Sequence, residues 1–245
     1  MEEIVYHTNY RLENEYWWFV ARNEIVKTLI LQKTDIPQGS YIIDIGCGTG
    51  GFSEKISHLY NPVCLDTSNL AIEYCQKRGL KYAFQSTVEE FDFAQFPIKA
   101  AIMLDVIEHI EDDIGIMKQV YDKLPNGAWF ITTVPAYQSL WSRHDEIHQH
   151  YRRYNRLDFN NLLRQVGFNI VYSSYFNTLL FAPAVLKRYI DKLTGAEKKQ
   201  NEPVENVPPI VNKVFKNVFL LEKFLLGKII FPFGLSIITI ARKYK

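Results

Sequence analysis

The chain has 245 residues, a formal net charge of +1, and 47% hydrophobic against 22% charged residues. That length suits one large α/β domain with a sizeable core, and that composition excludes a disordered chain. A near-zero net charge provides no global field to draw in nucleic acid, which is therefore not an expected partner.

The first stretch, MEEIVYHTNYRLENEY, carries early acids and lacks the apolar core of a signal peptide. Cys47, Cys64 and Cys75 are odd in number and show no CxxC spacing. Free thiols in a reducing, cytoplasmic setting are expected, rather than disulfides or a thiolate metal site. Helical spacing of apolar residues predicts a helix over 17–31, with Arg22, Glu24 and Lys27 off the stripe. Pro37-Gln38-Gly39 ends it, and YIIDIGCGTGG then reads as strand, tight turn and helix start.

The pattern continues with helix 51–60, strand 62–66, helix 69–79, strand 81–85, strand 99–104 and helix 111–124. Strand 128–133, helix 157–166 and strand 168–175 follow. Such alternation predicts an α/β fold: a doubly wound, mostly parallel sheet that binds ligands beyond the carboxyl ends of its strands. Two stretches break the alternation. Residues 134–156 form a long connection after the fifth strand. Residues 176–234 carry two apolar helical patterns split by LTGAEKKQNEPVENVPP, and Leu235–Ala241 reads as a last strand. The inserted patterns are expected to pack on the sheet, with capping of an acceptor site, dimerisation or a peripheral membrane contact as alternatives. Lys216, Glu222, Lys223 and Lys228 interrupt the most apolar region, so no transmembrane helix is expected.

Gly46, Gly48 and Gly50 follow a strand and open a helix, which lets a ligand approach the backbone and its free N–H groups. Gly46, Gly48 and Gly51 also satisfy G-x-G-x-x-G, so an NAD(P)-dependent oxidoreductase on a Rossmann sheet is one alternative. A cofactor-binding protein without turnover is another. Asp66 could take a ribose hydroxyl pair in any of these. Asp44 favours a different ligand. A carboxylate two residues before the first glycine suits a cation better than a pyrophosphate. S-adenosylmethionine offers an ammonium, a sulfonium and a ribose, with no phosphate. A plain capping role for Asp44 is the competing account.

D-I-G-C-G-T-G-G (44–51), C-L-D-T-S (64–68), L-D-V-I-E-H-I (104–110) and L-P-N-G-A-W-F-I-T-T-V-P (124–135) resemble, in order and spacing, the motifs of class I S-adenosylmethionine-dependent methyltransferases. The resemblance implies a Rossmann-like seven-stranded sheet of order 3-2-1-4-5-7-6 with strand 7 antiparallel, and a helical insertion before that strand. It divides the single domain into an N-terminal cover (1–36), a cofactor-binding core (37–175), an insertion (176–234) and the last strand (235–245).

It also implies a methyl group passed to a small-molecule or lipid-linked acceptor, with oxygen the expected acceptor atom. Asp44, Gly46, Cys47, Gly48 and Gly50 would contact the methionine part, Asp66 and Thr67 the ribose, and Asp105 and Val106 would close the pocket. An acidic residue usually follows strand three in this family; here Gln85-Ser86-Thr87 stands in its place, so Ser86, Thr87 and Val88 are the adenine candidates. W-W-F-V-A-R-N resembles a helix that covers the cofactor in a sub-group, with Trp18 over it and Arg22 as a fork for its carboxylate.

For chemistry, His109 sits at the rim of the expected cleft and Trp141–Tyr154 lies in the long connection. His144-Asp145-Glu146-Ile147-His148 mimics a zinc motif, but no sustained apolar helical stripe surrounds it and its aspartate is shorter than the usual glutamate, so no metal is expected. His144 and Asp145 are the expected base and orienting acid, with His148 as second base. Trp141, Arg143, Tyr151, Arg152 and Arg153 are the acceptor-binding candidates, with Arg152 and Arg153 expected to hold a substrate anion. A structural ion-pair web, Arg143 with Asp145 or Glu146 with Arg152, is the competing reading.

Overall fold

The β-branched runs become the strands β1 (Tyr41–Ile45), β2 (Asn61–Asp66), β3 (Tyr82–Gln85), β4 (Ile98–Leu104), β5 (Trp129–Pro135), β6 (Asn169–Phe176) and β7 (Ser236–Arg242). The computed structural model describes residues 3–195 and 207–244 and joins these strands in one sheet of order β3-β2-β1-β4-β5-β7-β6. β1 lies parallel between β2 and β4, while β7 runs antiparallel to both β5 and β6. The expected topology is therefore observed. Central strands are apolar on both faces, with Ile42, Ile43, Ala100, Ala101 and Ile102 fully buried, because helices cover both sides.

Those helices are α1 (Glu3–Leu12), α2 (Trp17–Lys33), α3 (Gly51–Ile56), α4 (Asn69–Lys77), α5 (Asp113–Lys123), α6 (Arg143–Ile147), α7 (Arg156–Val166), α8 (Phe181–Thr194) and α9 (Pro209–Leu221). Helix α1 was not legible in sequence, because only Val5 and Tyr6 are buried and its remaining face is polar. It docks on α4, where Tyr10 stacks on Tyr74 with ring centroids 4.2 Å apart. Helix α2 packs against α9. Trp17 meets Phe215 and Phe219 edge-on, and the Trp17 N–H donates to Asn212 Oδ1 at 2.8 Å.

The N-terminal cover and the insertion thus form one roof over the sheet. The insertion does not simply pack on the sheet as its apolar pattern suggested: α8 buries no residue, and α9 buries Phe219 alone. Part of the polar linker, 196–206, lies outside the described residues.

Glu222, just past α9, is fully buried. Its carboxylate accepts from the N–H groups of Asn177, Thr178 and Leu179 at 2.8, 2.7 and 2.8 Å and so ties the end of β6 to the insertion. Burial pushes its pKa up, and those three donors pull the other way. Glu222→Ala is expected to cost about 3–5 kcal/mol, since each buried donor left unmade costs roughly 1–3 kcal/mol. Urea denaturation measures this; a loss below about 1 kcal/mol would show that water takes over the three donors.

Among the described residues, four non-glycine residues hold positive φ: Asp105, Tyr137, Gln149 and Asn177. Asp105 and Asn177 directly follow β4 and β6, Tyr137 lies two residues past β5, and Gln149 lies in the connection after β5. Backbone strain therefore gathers at the carboxyl-end face, as it does around functional sites.

Candidate active site

The turn after β1 is built on three left-handed glycines, Gly46 (φ +67), Gly48 (φ +55) and Gly50 (φ +81). Gly46 is also a close approach, since a Cβ there would lie 2.7 Å from Val106 Cγ2. Asp66, 7% exposed, braces the turn by accepting from Gly48 N and Ser68 N, both at 2.9 Å. Beneath the turn, Asp44 accepts from the Ser53 hydroxyl at 2.7 Å. Burial pushes the Asp44 carboxyl up to about 7, opposed by Ser53 and by the positive charge of Arg22.

Across the cleft, Arg22 forms an ion pair with Asp105, Nε to Oδ2 3.6 Å, and its guanidinium lies 5.0 Å from the Trp18 ring centre. Arg22 Nε and Asp105 Oδ2 are buried and find no hydrogen-bond partner among the described residues. Burial raises the Asp105 pKa, with Arg22 and Thr133 offsetting part of it.

A cavity of about 440 Å³ joins these groups to the histidines of the connection after β5. Trp18, Arg22, Asp44, Gly46, Cys47, Gly48 and Asp105 line one end, and His109, His144, His148, His150 and Arg153 line the other. The volume is within the usual range for a small-molecule site. Val106 and Gly50 act from behind: Val106 packs on Gly46, and Gly50 leads into α3. Thr67, Ser86 and Thr87 stand beside Asp66 at the ends of β2 and β3 rather than in the cavity wall, and Val88 is core.

The histidine end is organised by Asp145, which is fully buried. Arg153 donates to it twice, Nε to Oδ1 at 2.7 Å and Nη2 to Oδ2 at 2.9 Å, and His150 Nδ1 lies 2.9 Å from Oδ1. The Ser142 N–H donates to Oδ2 at 2.8 Å and caps α6. Two sequence expectations change here. Asp145 orients His150 instead of His144, and Arg153 is committed to a buried ion pair instead of a substrate anion.

Arg152 pairs with Asp113 at 2.9 Å and Arg143 with Glu146 at 2.7 Å, and neither lines the cavity. Trp141 also lies outside the cavity wall, and Tyr151 borders a second pocket of about 410 Å³ that shares His109 and His150. The web of ion pairs foreseen as the competing reading is present, with different pairings.

Burial lowers the His109 pKa to about 3, helped by the neighbouring His150 and His148. An imidazole held so low is neutral at ordinary pH but a poor general base. Burial also holds His144 well below the ordinary histidine value. Its ring faces that of His148 with centroids 4.2 Å apart.

Sequence reasoning missed two acids. Glu13 lines the cavity, accepts from Thr49 at 2.5 Å and pairs with Arg78 at 3.0 Å. Glu108 also lines it, 1% exposed, and burial holds its carboxyl well above the usual range. Glu108 sits in the quoted E-H pair, yet only the turn after β4 aims it inward. Glu13 had no motif to mark it.

The sheet order and the glycine turn facing an acid after β4 define a class I methyltransferase fold. Residues 19–173 match the model of the methyltransferase-domain family, and the chain belongs to that family, among the S-adenosylmethionine-dependent class I methyltransferases. No curated protein matches the sequence.

A methyltransferase from Archaeoglobus fulgidus, described as S-adenosylmethionine-dependent, is similar in structure (17% identity, TM-score 0.57, covering 94% of this chain and 97% of that one). So is phosphoethanolamine N-methyltransferase 2 of Haemonchus contortus, in complex with phosphomonomethylethanolamine and S-adenosylhomocysteine (16%, TM-score 0.57, 91% and 53%). The [4+2]-cyclase SpnF shares the fold too (16%, TM-score 0.60, 94% and 86%).

Proposed function

We propose that the chain transfers the methyl group of S-adenosylmethionine to an oxygen of a small or lipid-linked acceptor. The observation that carries this reading is the single cavity running from Asp44, Arg22 and the glycine turn to the histidine cluster. Asp44 and Asp105 are the counter-charges for the cofactor's ammonium and sulfonium, and Arg22 forks its carboxylate. S-adenosylmethionine, when bound, would supply the methyl group: the bond from the acceptor oxygen to the methyl carbon would form as that carbon's bond to sulfur broke, leaving the neutral thioether of S-adenosylhomocysteine. The hydroxyl proton passes to His148, because burial holds His144 too far below the ordinary histidine value to serve as base, and holding donor and acceptor in line supplies much of the acceleration.

A lipid-linked acceptor draws support from the insertion. Lys187, Arg188 and Asp191 of α8 face the cavity, while Leu186, Tyr189, Ile190 and Leu193 are exposed on its other side. Exposed Ile210, Val214 and Leu221 on α9 and Ile229 and Ile230 beyond it add to the apolar surface. Such a face suits a peripheral contact with a bilayer surface. No helix among the described residues is long and apolar enough to cross a membrane. Three buried free thiols fit the cytoplasmic setting.

Calorimetry with S-adenosylhomocysteine and with NADH tests the cofactor, and its pH dependence tests Asp44. A folded pKa of about 7 means that ionising Asp44 costs the free protein stability as pH rises from the ordinary carboxylate range to 7. A bound ammonium relieves that cost, so affinity rises through pH 7 and levels above it. The expected loss from pH 8 to pH 6 is about tenfold, one pKa unit's worth. Tight binding of NADH alone, or an affinity for S-adenosylhomocysteine flat across that range, would overturn the assignment. Methyl transfer to no acceptor would favour the second reading, a cofactor-binding protein without turnover.

A further inference from the structure

We propose that Glu108, His109 and His150 bind one divalent transition cation at the acceptor end of the cavity. One ligand atom from each side chain lies within 4.8 Å of the others. Ligands about 2.0–2.2 Å from such an ion stand roughly 3–3.5 Å apart, so ring rotations of about an ångström close the set. The ligands come from two segments distant in sequence, the turn after β4 and the connection after β5. The Tyr151 N–H donates to the Glu108 carbonyl at 2.7 Å and staples those segments together.

His150 is already oriented: it commits Nδ1 to Asp145 at 2.9 Å, which leaves Nε2 to coordinate, and Asp145 is itself fixed by Arg153. A carboxylate behind an imidazole is the usual support of a metal-binding histidine. Glu108 Oε2 is buried and finds no hydrogen-bond partner among the described residues. A cation satisfies that oxygen, which is otherwise costly to bury. The His109 and His150 rings meet edge to face with centroids 4.6 Å apart, and both border the two pockets, so an ion has a path in.

Two imidazoles and one carboxylate suit Zn²⁺, Fe²⁺, Co²⁺ or Ni²⁺ rather than Mg²⁺ or Ca²⁺. The role of the ion rests on the methyltransferase reading: it polarises the acceptor oxygen. Its binding does not rest on that reading.

The test titrates the full chain with Co²⁺, following visible absorption and calorimetry, and separately with S-adenosylhomocysteine. One Co²⁺ per chain is expected, without the near-ultraviolet band of a thiolate ligand. His109→Ala and His150→Ala are each expected to weaken Co²⁺ by at least the 10–100-fold seen on loss of metal-site partners. Glu108→Gln follows the same course, cooperative thermal unfolding shows that each variant folds, and His58→Ala, at an exposed histidine elsewhere, changes nothing.

Co²⁺ affinity within threefold of wild type in both histidine variants would sink the site. A thiolate band would do the same, since the buried Cys47, Cys64 and Cys75 form the other cluster of ligand type among the described residues. S-adenosylhomocysteine binding without Co²⁺ binding removes the metal and leaves the methyltransferase. Co²⁺ binding without S-adenosylhomocysteine binding does the reverse.

Discussion

Asp145→Ala is expected to destabilise the protein by about 3–5 kcal/mol, the cost of breaking a buried ion pair from one side. The Arg153 side chain is 3% exposed, and without Asp145 its guanidinium keeps only the Ala136 carbonyl, 3.2 Å from Nη1. Helix α6 also loses its cap, and His150 loses the group that aims it. At roughly 2–4 °C per kcal/mol for a chain of this size, the melting temperature falls by about 10 °C.

The pH dependence has a definite sign. Burial would raise the Asp145 carboxyl, but His150 and Arg153 outweigh it and hold the pKa below its ordinary value. The stabilisation is then complete above the unfolded pKa, about 4, and is lost as pH falls below it. The difference between wild type and variant narrows accordingly in acid. Adding Arg153→Met should recover part of the loss, because an apolar replacement removes the stranded charge. Urea denaturation of the four proteins in that cycle measures the coupling. A single-variant loss below about 1 kcal/mol would mean that the web around Asp145 does not organise the histidine end.

Gly46→Ala is expected to lower cofactor affinity about 100-fold, or roughly 2.7 kcal/mol. A left-handed conformation costs a non-glycine residue roughly 1–2 kcal/mol. The new Cβ would in addition meet Val106 Cγ2 at 2.7 Å and Cγ1 at 2.8 Å. Either the turn leaves its place beside the cavity or Val106 moves, and Val106 directly follows Asp105. Val106→Ala in the same chain relieves the contact and not the φ, so it should restore only part of the affinity. Gly127 separates the two effects, having φ +84 and nothing within 4 Å of a Cβ. Gly127→Ala should cost stability alone. Isothermal titration with S-adenosylhomocysteine decides, and a Gly46→Ala affinity within threefold of wild type would show that the turn does not touch the cofactor.

The end of the cavity that holds Asp44 and the glycine turn was legible because its residues are neighbours in sequence. Asp44 and the glycines occupy one strand and its turn, so spacing alone brings them together. Asp105 follows β4, and parallel pairing of β1 with β4 then sets it opposite the glycine turn. Arg22 was found through the aromatic run beside it. Glu13 escaped notice because α1 is held by docking on α4 and carries little periodicity of its own.

The acceptor half behaved differently. From the residues, W-S-R-H-D-E-I-H-Q-H-Y-R-R-Y promised a base, an orienting acid and an anion clamp. A turn with positive φ at Gln149 brings His150 back against Asp145, past His144 and His148. Helical spacing puts His144 and His148 side by side, but nothing in that spacing says which histidine Asp145 meets. Sequence by itself determined the alternation of strands and helices and the glycine turn, because those follow from local period and glycine conformation, while the strand order followed from the resemblance to the methyltransferase motifs. Only the tertiary structure decided the rest. It paired Asp145 with Arg153, brought Glu108 and His109 to His150, and drew α8 and α9 over the cleft, since each contact joins segments whose meeting depends on packing of the whole chain.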